Sequence, residues 1–291
     1  MNDYENKYIK VLDGIRALSI MTIVWFHFWQ QSWIYHHIGK ISLDYIPRYG
    51  YLLVDMMILL SSFCLFIPYA RSKFNQDDIP KTKEFYQKRL IRILPSYLLS
   101  MVISIIFLII SHKNVSVSFF IKDTLTHLFF IHNFFPDIIS STNYIGVLWT
   151  IALEMQFYLI YPFIAKKFLK HPIITYTIMI SISIVSTIII NLTINNYNQS
   201  LLVNNPLIFF SVYANGMMGC YLYFKYIKIQ KRNFIKDIFF TIISITCIFI
   251  YKYLCSSIGK DIQIWQINYR FILSIIFIIF IISTILSIKY Y

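Results

Sequence analysis

The chain has few charged residues and few of them are acidic. Charged residues make up 13% of the 291 residues, whereas hydrophobic residues make up 58%, and the mean hydropathy is +0.63. A water-soluble core cannot bury that much apolar surface. The composition therefore excludes an ordinary soluble protein and predicts an all-α integral membrane protein.

Cysteine is also scarce, and the four cysteines show no metal-binding pattern. None of them forms a CxxC pair or a Cys/His spacing typical of zinc sites, so they are interpreted as small buried apolar residues. No GxSxG elbow is present to nominate a nucleophile. The cysteine pattern therefore predicts no metal site.

Long apolar stretches occur along the whole chain. A helix needs about 20 apolar residues to cross a hydrocarbon core. With no large soluble insertion, we expect residues 1–291 to form a single transmembrane domain without a fused soluble domain. The mixed segment near 119–135 is interpreted as re-entrant or interfacial. We count about eight predicted crossings, near 12–35, 50–70, 93–111, 146–165, 173–191, 206–224, 235–254 and 268–288.

The formal net charge of +13 could indicate a nucleic-acid partner in a soluble protein, but its distribution suits a membrane protein better. Lys and Arg concentrate before the first span and in alternate loops, while the loop at 191–205 has neither. Because cytoplasmic loops are rich in Lys and Arg, the pattern predicts a cytoplasmic N-terminus. Membrane lipids are therefore expected partners, and nucleic acid is not.

The first span carries a polar stripe. At about 100° per residue, Asp13, Arg16, His27 and Gln31 share one helix face, and His27 lies about 16 Å further across the membrane than Arg16. Ionisable groups at such depth usually face a protein interior or a water-filled cavity. We expect the stripe to point into the protein, with His27 either functional or held as a structural hydrogen-bonding residue.

A second intramembrane charge, Glu154, lies in the span that runs through residues 148–163. It is expected at a depth similar to that of His27. By their spacing, Thr150, Tyr158 and Tyr161 lie on the same helix face as Glu154. An imidazole and a carboxylate at one depth can together accept a proton from a hydroxyl group. The alternative is a structural hydrogen bond between helices.

Two arginines open the third span on its predicted cytoplasmic side. Arg89 and Arg92 are neighbours on the helix surface, and paired guanidinium groups bind phosphate in bidentate fashion. The site could therefore take a phosphorylated cytoplasmic ligand. The alternative is that both residues are ordinary anchors at the lipid headgroups.

Five sequence blocks together resemble the bacterial membrane acyltransferase family 3, which includes O-acetyltransferases of surface glycans. They are the arginine-x10-histidine pattern from Arg16 to His27, the segment 54–63 that is similar to "FFxLSGF", the arginine-x-x-arginine element at Arg89 and Arg92, and the segments 125–133 and 148–159. The order of the blocks over residues 12–162 is that of the family. Two features depart from it: Ser62 replaces the family's glycine, and about eight predicted helices replace about ten, so the domain would be short at its C-terminus.

The resemblance implies a multi-pass enzyme of the bacterial inner membrane that transfers an acyl group, most simply acetyl, from cytoplasmic acyl-CoA to a hydroxyl of a cell-envelope carbohydrate. It implies His27 as general base with Glu154 as its partner, and Arg16, Arg89 and Arg92 along the acyl-CoA route. Asp13 and Tyr158 would line the substrate path. Acetyl-CoA would be a co-substrate rather than a bound cofactor.

Two other functions fit the same residues. One is a transporter of a lipid-linked sugar or small solute that uses the His27 and Glu154 pair as a proton relay. The other is a catalytically silent family member, as a short domain would allow. Transfer from acetyl-CoA to an acceptor distinguishes the enzyme from both.

Overall fold

The protein is an all-α multi-pass membrane protein. The computed structural model describes residues 9–32, 37–39, 41–112, 114–193, 204–227, 233–258 and 262–288. A two-residue antiparallel ladder joins β1 (His37–Ile38) to β2 (Ile41–Ser42). The α-helices within the described ranges are α1 Lys10–Ser32, α2 Tyr45–Arg48, α3 Leu53–Phe74, α4 Thr82–Ile110, α5 Val117–Leu128, α6 Pro136–Ser141, α7 Trp149–Lys170, α8 Pro172–Thr193, α9 Phe210–Ile227, α10 Phe234–Ser256 and α11 Ile262–Ile288.

Seven helical segments of the described chain are long and apolar enough to cross a membrane. Each corresponds to one of the predicted crossings, although several are longer than expected. The fourth helix α4, for example, begins at Thr82 rather than near residue 93. Its 29 residues rise about 43 Å, more than the roughly 30 Å of a hydrocarbon core. The segments are Lys10–Ser32, Gly50–Phe74, Thr82–Ile110, Gly146–Lys170, Pro172–Thr193, Phe234–Ser256 and Ile264–Ser287.

The segment near 206–224 differs from the other predicted crossings. That segment forms α9, which has 18 residues but is not among the seven apolar spans. Most of its side chains are buried, including the polar Ser211 and Asn215. A helix surrounded by protein needs no lipid-compatible exterior, so it tolerates polar residues that an exposed span does not.

The alternating topology still requires α9 to cross the membrane. Its 18 residues rise about 27 Å, close to the thickness of the hydrocarbon core. That crossing, and with it the cytoplasmic N-terminus, stays a prediction. Residues 194–203 and 228–232, which include most of the loops flanking α9, lie outside the described residues.

The helices fall into two compact units. The first comprises Met1–Asn75 and Ser211–Tyr291, and the second comprises Gln76–Phe210. In the first unit, α3 packs against α1 and α11, and α10 packs along α11. In the second unit, α7 packs against α4 and α8.

In the first unit, α9 approaches α3 very closely at Gly216. A Cβ atom added at Gly216 would lie 2.7 Å from the backbone oxygen of Leu59 and 2.8 Å from Cβ of Ser62. Ser62 stands where the resembled family has glycine, and its hydroxyl donates a hydrogen bond of 2.6 Å to the backbone oxygen of Tyr213. The departure is therefore accommodated, because Ser62 bonds the same helix that Gly216 allows to approach.

Replacing Gly216 by alanine is expected to destabilise the first unit. The new methyl group overlaps a backbone oxygen that cannot rotate away, and overpacking of this kind costs about 1–3 kcal/mol. The measurement is the thermal midpoint of the detergent-purified protein. Gly14→Ala is the matched control because nothing lies within 4 Å of its added Cβ. Equal midpoints for the native protein and Gly216→Ala contradict the close approach.

Candidate active site

The polar stripe of α1 is only partly arranged as expected. Nη1 of Arg16 donates to Oδ1 of Asp13 at 3.2 Å, and both side chains are partly exposed. His27 and Gln31 are exposed. The expectation that the whole stripe points into the protein is therefore wrong. The buried residues of α1 are Leu12, Ile15, Ser19 and Trp29, which lie on another side of the helix.

The end of α1 that carries His27 is held rigidly. Two residues further on, Nε1 of Trp29 donates to Oδ1 of Asp44 at 2.6 Å, and Arg48 binds the other carboxylate oxygen of Asp44. The Arg48 guanidinium also lies 5.2 Å from the centre of the Trp29 ring. The ring of Phe26 contacts that of His27 at a centroid distance of 5.2 Å. His27 is thus an accessible imidazole on a fixed helix end.

In the second unit, Glu154 has the polar neighbour predicted for it on α7. The hydroxyl of Tyr158 donates to Oε2 of Glu154 at 2.9 Å, and Glu154 is half-buried. The hydroxyl of Thr150 instead bonds the backbone oxygen of Val147. The predicted polar face is therefore confirmed for Glu154 and Tyr158, whereas the Thr150 hydroxyl is engaged by its own helix end.

Aromatic side chains link Glu154 and Tyr158 of α7 to Arg89 of α4. The ring of Phe85 meets that of Tyr158 edge-on at 6.0 Å and stacks on that of Tyr161 at 5.3 Å. The guanidinium of Arg89 lies 5.8 Å from the centre of the Phe85 ring. Arg89 is half-buried, and its Nε atom has no hydrogen-bond partner within the part of the chain described here. Arg92 is exposed.

The predicted site residues divide between the two units. Asp13, Arg16 and His27 belong to the first, and Arg89, Arg92, Glu154 and Tyr158 belong to the second. The second unit therefore brings together Arg89, Tyr158 and Glu154 through Phe85. The pairing of His27 with Glu154 stays a prediction.

A buried ion pair in the first unit was not recognised from the sequence. Nε of Arg270 on α11 donates to Oδ2 of Asp55 on α3 at 3.0 Å, and the two side chains are 1% and 0% exposed. One turn further along α11, Ser274 accepts a hydrogen bond of 2.7 Å from Asn215. The sequence did show Arg270 two residues inside the predicted crossing near 268–288. Nothing in the sequence indicated its partner.

A buried polar cluster in the second unit was also not recognised from the sequence. Asp123 and His127 lie on α5, and Nδ1 of His127 is 3.1 Å from Oδ1 of Asp123. The rings of His127 and His132 stack in parallel at 3.8 Å. Burial alone raises the pKa of Asp123, but hydrogen bonds from His127, the Asn143 backbone and Thr142 outweigh it, so that the pKa lies below its usual value. Burial and the neighbouring His127 lower the pKa of His132 to about 3.

The low pKa of His132 predicts acid sensitivity. The unfolded chain takes up a proton at His132 near its ordinary pKa of 6.5, whereas the folded chain does not until about pH 3. Stability is therefore present above pH 6.5 and falls as the pH decreases, by at most ~1.4 kcal/mol per pH unit. The thermal midpoint should fall between pH 7.5 and 5.5 by less in His132→Gln than in the native protein. An identical fall in both contradicts a neutral buried His132.

Seven helical segments of the described chain are long and apolar enough to span a membrane, and several of them carry imidazole, carboxylate or guanidinium groups. A family model described as an acyltransferase domain matches residues 9–291. The chain therefore belongs to this acyltransferase family, as the ordered sequence motifs indicated.

Curated relatives of the chain carry O-acetyltransferase names. The chain is 24% identical over 196 residues to peptidoglycan O-acetyltransferase OatA of Listeria monocytogenes, covering 64% of this chain and 29% of the relative. It is 25% identical over 199 residues to O-acetyltransferase OatA of Staphylococcus aureus, covering 66% and 30%. A putative O-acetyltransferase of Staphylococcus aureus is 27% identical over 168 residues, covering 54% and 25%. The chain spans less than a third of these relatives' length. No solved structure matches.

Proposed function

We propose that this chain is an O-acyltransferase of the bacterial inner membrane that moves an acyl group, most simply acetyl, from cytoplasmic acyl-CoA to a hydroxyl of a cell-envelope carbohydrate. The observation that carries the proposal is the acyltransferase family match over residues 9–291. The O-acetyltransferase names of the relatives support acetyl as the group transferred, and the peptidoglycan named for the Listeria relative supports a glycan acceptor.

The proposed chemistry uses His27 as the general base. Its imidazole takes the proton of the acceptor hydroxyl as the oxygen attacks the thioester carbonyl. A C–O bond forms, the C–S bond breaks, and the proton then passes to the departing thiolate of coenzyme A. An exposed imidazole on a rigid helix end supports this role, because a base must reach its substrate while keeping its orientation.

Glu154 is proposed to orient His27 or to share its proton. The hydrogen bond from Tyr158 fixes the carboxylate of Glu154, and half-burial keeps one side of it accessible. Tyr158 is itself buried against Phe85 on α4 and so offers a rigid support. This arrangement supports a carboxylate with one oxygen held by the protein and the other available to a partner.

Arg89 and Arg92 are proposed to receive the phosphates of acyl-CoA, with Arg16 along the route. The helix α4 is longer than crossing the hydrocarbon core requires, and both arginines lie in its first part, before the predicted crossing near 93–111. A half-buried Arg89 with a buried Nε atom is consistent with a binding residue, whereas headgroup anchors are usually free to move. Burial against Phe85 also restricts its rotamers.

The double substitution Arg89→Ala with Arg92→Ala is expected to raise the KM for acetyl-CoA about tenfold or more and to leave kcat less affected. Loss of one charge-assisted phosphate contact is worth at least ~1.4 kcal/mol, which is a factor of ten in affinity. Steady-state kinetics in membrane vesicles measure both constants. Lys83→Ala with Lys88→Ala, two exposed cations of the same helix, is the matched control. An unchanged KM assigns both arginines to membrane anchoring.

The proposal is tested with sealed membrane vesicles of both orientations that contain the protein and cell-envelope glycan. Isotopically labelled acetyl-CoA supplied to inverted vesicles, whose cytoplasmic face is outside, should label the glycan, and right-side-out vesicles should not. Labelling only in right-side-out vesicles overturns the cytoplasmic donor side. No labelling in either orientation, with the protein confirmed in the membrane and acceptor present, overturns the acyltransferase proposal.

A further inference from the structure

The helix α5 has its polar and apolar faces reversed relative to a helix on a soluble protein. Its apolar residues Val117, Ile121, Leu125 and Leu128 are 45–74% exposed. Its buried side chains are the polar Asp123, Thr126 and His127. At about 100° per residue, the four apolar residues fall within about 80° of one another, on the side of the helix opposite the buried polar residues. We call these four residues the α5 stripe.

The polar residues of α5 point inward because they have hydrogen-bond partners inside the second unit. Besides the contacts of Asp123 with His127, Oδ2 of Asp123 accepts hydrogen bonds from the backbone and the side chain of Asn143, at 2.8 and 3.1 Å. The backbone oxygen of His127 accepts a hydrogen bond of 2.9 Å from the hydroxyl of Tyr97 on α4. These partners satisfy the polar groups inside the second unit and hold the helix in one rotation. The α5 stripe is therefore held outward.

The α5 stripe follows another exposed apolar segment closely along the chain. Six residues separate the end of α4 from Val117, and the last turns of α4 expose Ile106, Phe107, Ile109 and Ile110. The residue that follows α5, Phe129, is 70% exposed. With 12 residues, α5 rises only about 18 Å and cannot cross the membrane. Exposed apolar side chains grouped in this way are unfavourable in water and favourable against acyl chains.

A partly exposed ion pair lies beside the α5 stripe. Lys122 lies beside the α5 stripe, and its Nζ atom donates to Oδ2 of Asp137 on α6 at 2.6 Å, with both side chains about half-exposed. A lysine beside an apolar stripe is typical of an interfacial helix, because the ammonium group reaches the headgroup region while the stripe lies among acyl chains.

We propose that α5 lies in the membrane interface and inserts the α5 stripe among lipid acyl chains. The occupant is lipid, because the stripe is strongly exposed in a chain of apolar membrane-spanning helices, follows the exposed apolar end of α4, and is bordered by the partly exposed Lys122–Asp137 ion pair. The buried Asp123–His127–His132 cluster is then the protein-facing side of an interfacial helix. This inference does not depend on the proposed function.

Nitroxide labels on single cysteines test the proposal in the full chain reconstituted in lipid nanodiscs. The four native cysteines are first replaced by alanine, and labels are then placed separately at Ile121→Cys, Leu125→Cys and Lys122→Cys. Oxygen concentrates among acyl chains, whereas a water-soluble nickel chelate is excluded from them. The ratio of collision rates with oxygen and nickel should be several-fold higher at 121 and 125 than at the neighbouring control position 122.

Two results overturn the proposal. Equal ratios at 121, 122 and 125 place the stripe in water. Dipolar broadening between labels at 121 shows that a second copy of the chain covers the stripe instead of lipid. If removal of the native cysteines prevents folding, a photoreactive phenylalanine analogue at 121 or 122 in the native chain gives the same decision: lipid adducts at 121 but not at 122 support the proposal, and cross-linked dimers or no adducts at 121 contradict it.

Discussion

Replacing His27 by alanine is expected to lower the rate of acyl transfer by about 10²- to 10⁴-fold, the contribution typical of a positioned general base. The helix should remain folded, because His27 is exposed and the packing of α1 rests on Leu12, Ile15 and Trp29. The Trp29–Asp44–Arg48 contacts at this end of α1 are also unaffected. The initial rate of glycan labelling in membrane vesicles measures the effect.

The matched control is His171→Ala, which removes an exposed imidazole just beyond the end of α7. It should retain the native rate, and both variants should melt at the native temperature. A native rate in His27→Ala removes His27 from the mechanism. Loss of rate together with a much lower melting temperature in His27→Ala shows a structural role instead.

The largest stability effect is expected from breaking the buried pair of Arg270 and Asp55. Removing one partner leaves the other charge unpaired in a low-dielectric interior, which costs about 3–5 kcal/mol. Arg270→Met or Asp55→Leu alone should therefore strongly lower the melting temperature or the yield of folded protein. The double variant should be far more stable than either single variant, because no buried charge remains.

A double-mutant cycle measures this coupling directly from the melting behaviour of the four proteins. The single substitution Ser274→Ala on the same helix is a useful comparison, because it removes a neutral hydrogen bond from Asn215 rather than a charge. Its smaller effect should be about 1 kcal/mol. Additive effects of the Arg270 and Asp55 substitutions contradict a direct ion pair.

Helix positions along the chain were largely predictable from the sequence, since long apolar runs reflect the requirement of a lipid environment. The same reasoning located the segment that forms α9, but it did not show that most of this helix is buried in protein. Hydropathy reports whether a helix suits lipid, whereas α9 is mostly surrounded by protein and carries Asn215 and Ser211 inside. The early start of α4 at Thr82 has a related cause, because a helix can extend past the hydrocarbon with polar residues.

The direction of a helix face was much less predictable. Periodicity correctly placed Asp13 beside Arg16 and Glu154 beside Tyr158, because those relations depend only on helix geometry. It could not show that His27 is exposed or that α5 turns its polar side inward. Those features depend on which other elements pack nearby, and the partners can be distant: Asp55 and Arg270 are 215 positions apart.

The glycine replacement in the "FFxLSGF"-like segment illustrates how a local departure is resolved by a distant residue. From the sequence, Ser62 added a side chain where close approach was expected. In the structure, Gly216 supplies the missing space on α9 and Ser62 bonds Tyr213. The departure is therefore no structural obstacle to a packed first unit.

The most direct test of the central claim is mass spectrometry of cell-envelope glycans from bacteria that express the native chain or its His27→Ala variant at equal membrane levels. The account predicts a mass increase of one acetyl group on sugar hydroxyls with the native chain, absent with the variant. An acetyl gain of equal size with both proteins contradicts the role of His27. No gain with the native chain, in a host that makes the acceptor, contradicts O-acyl transfer itself.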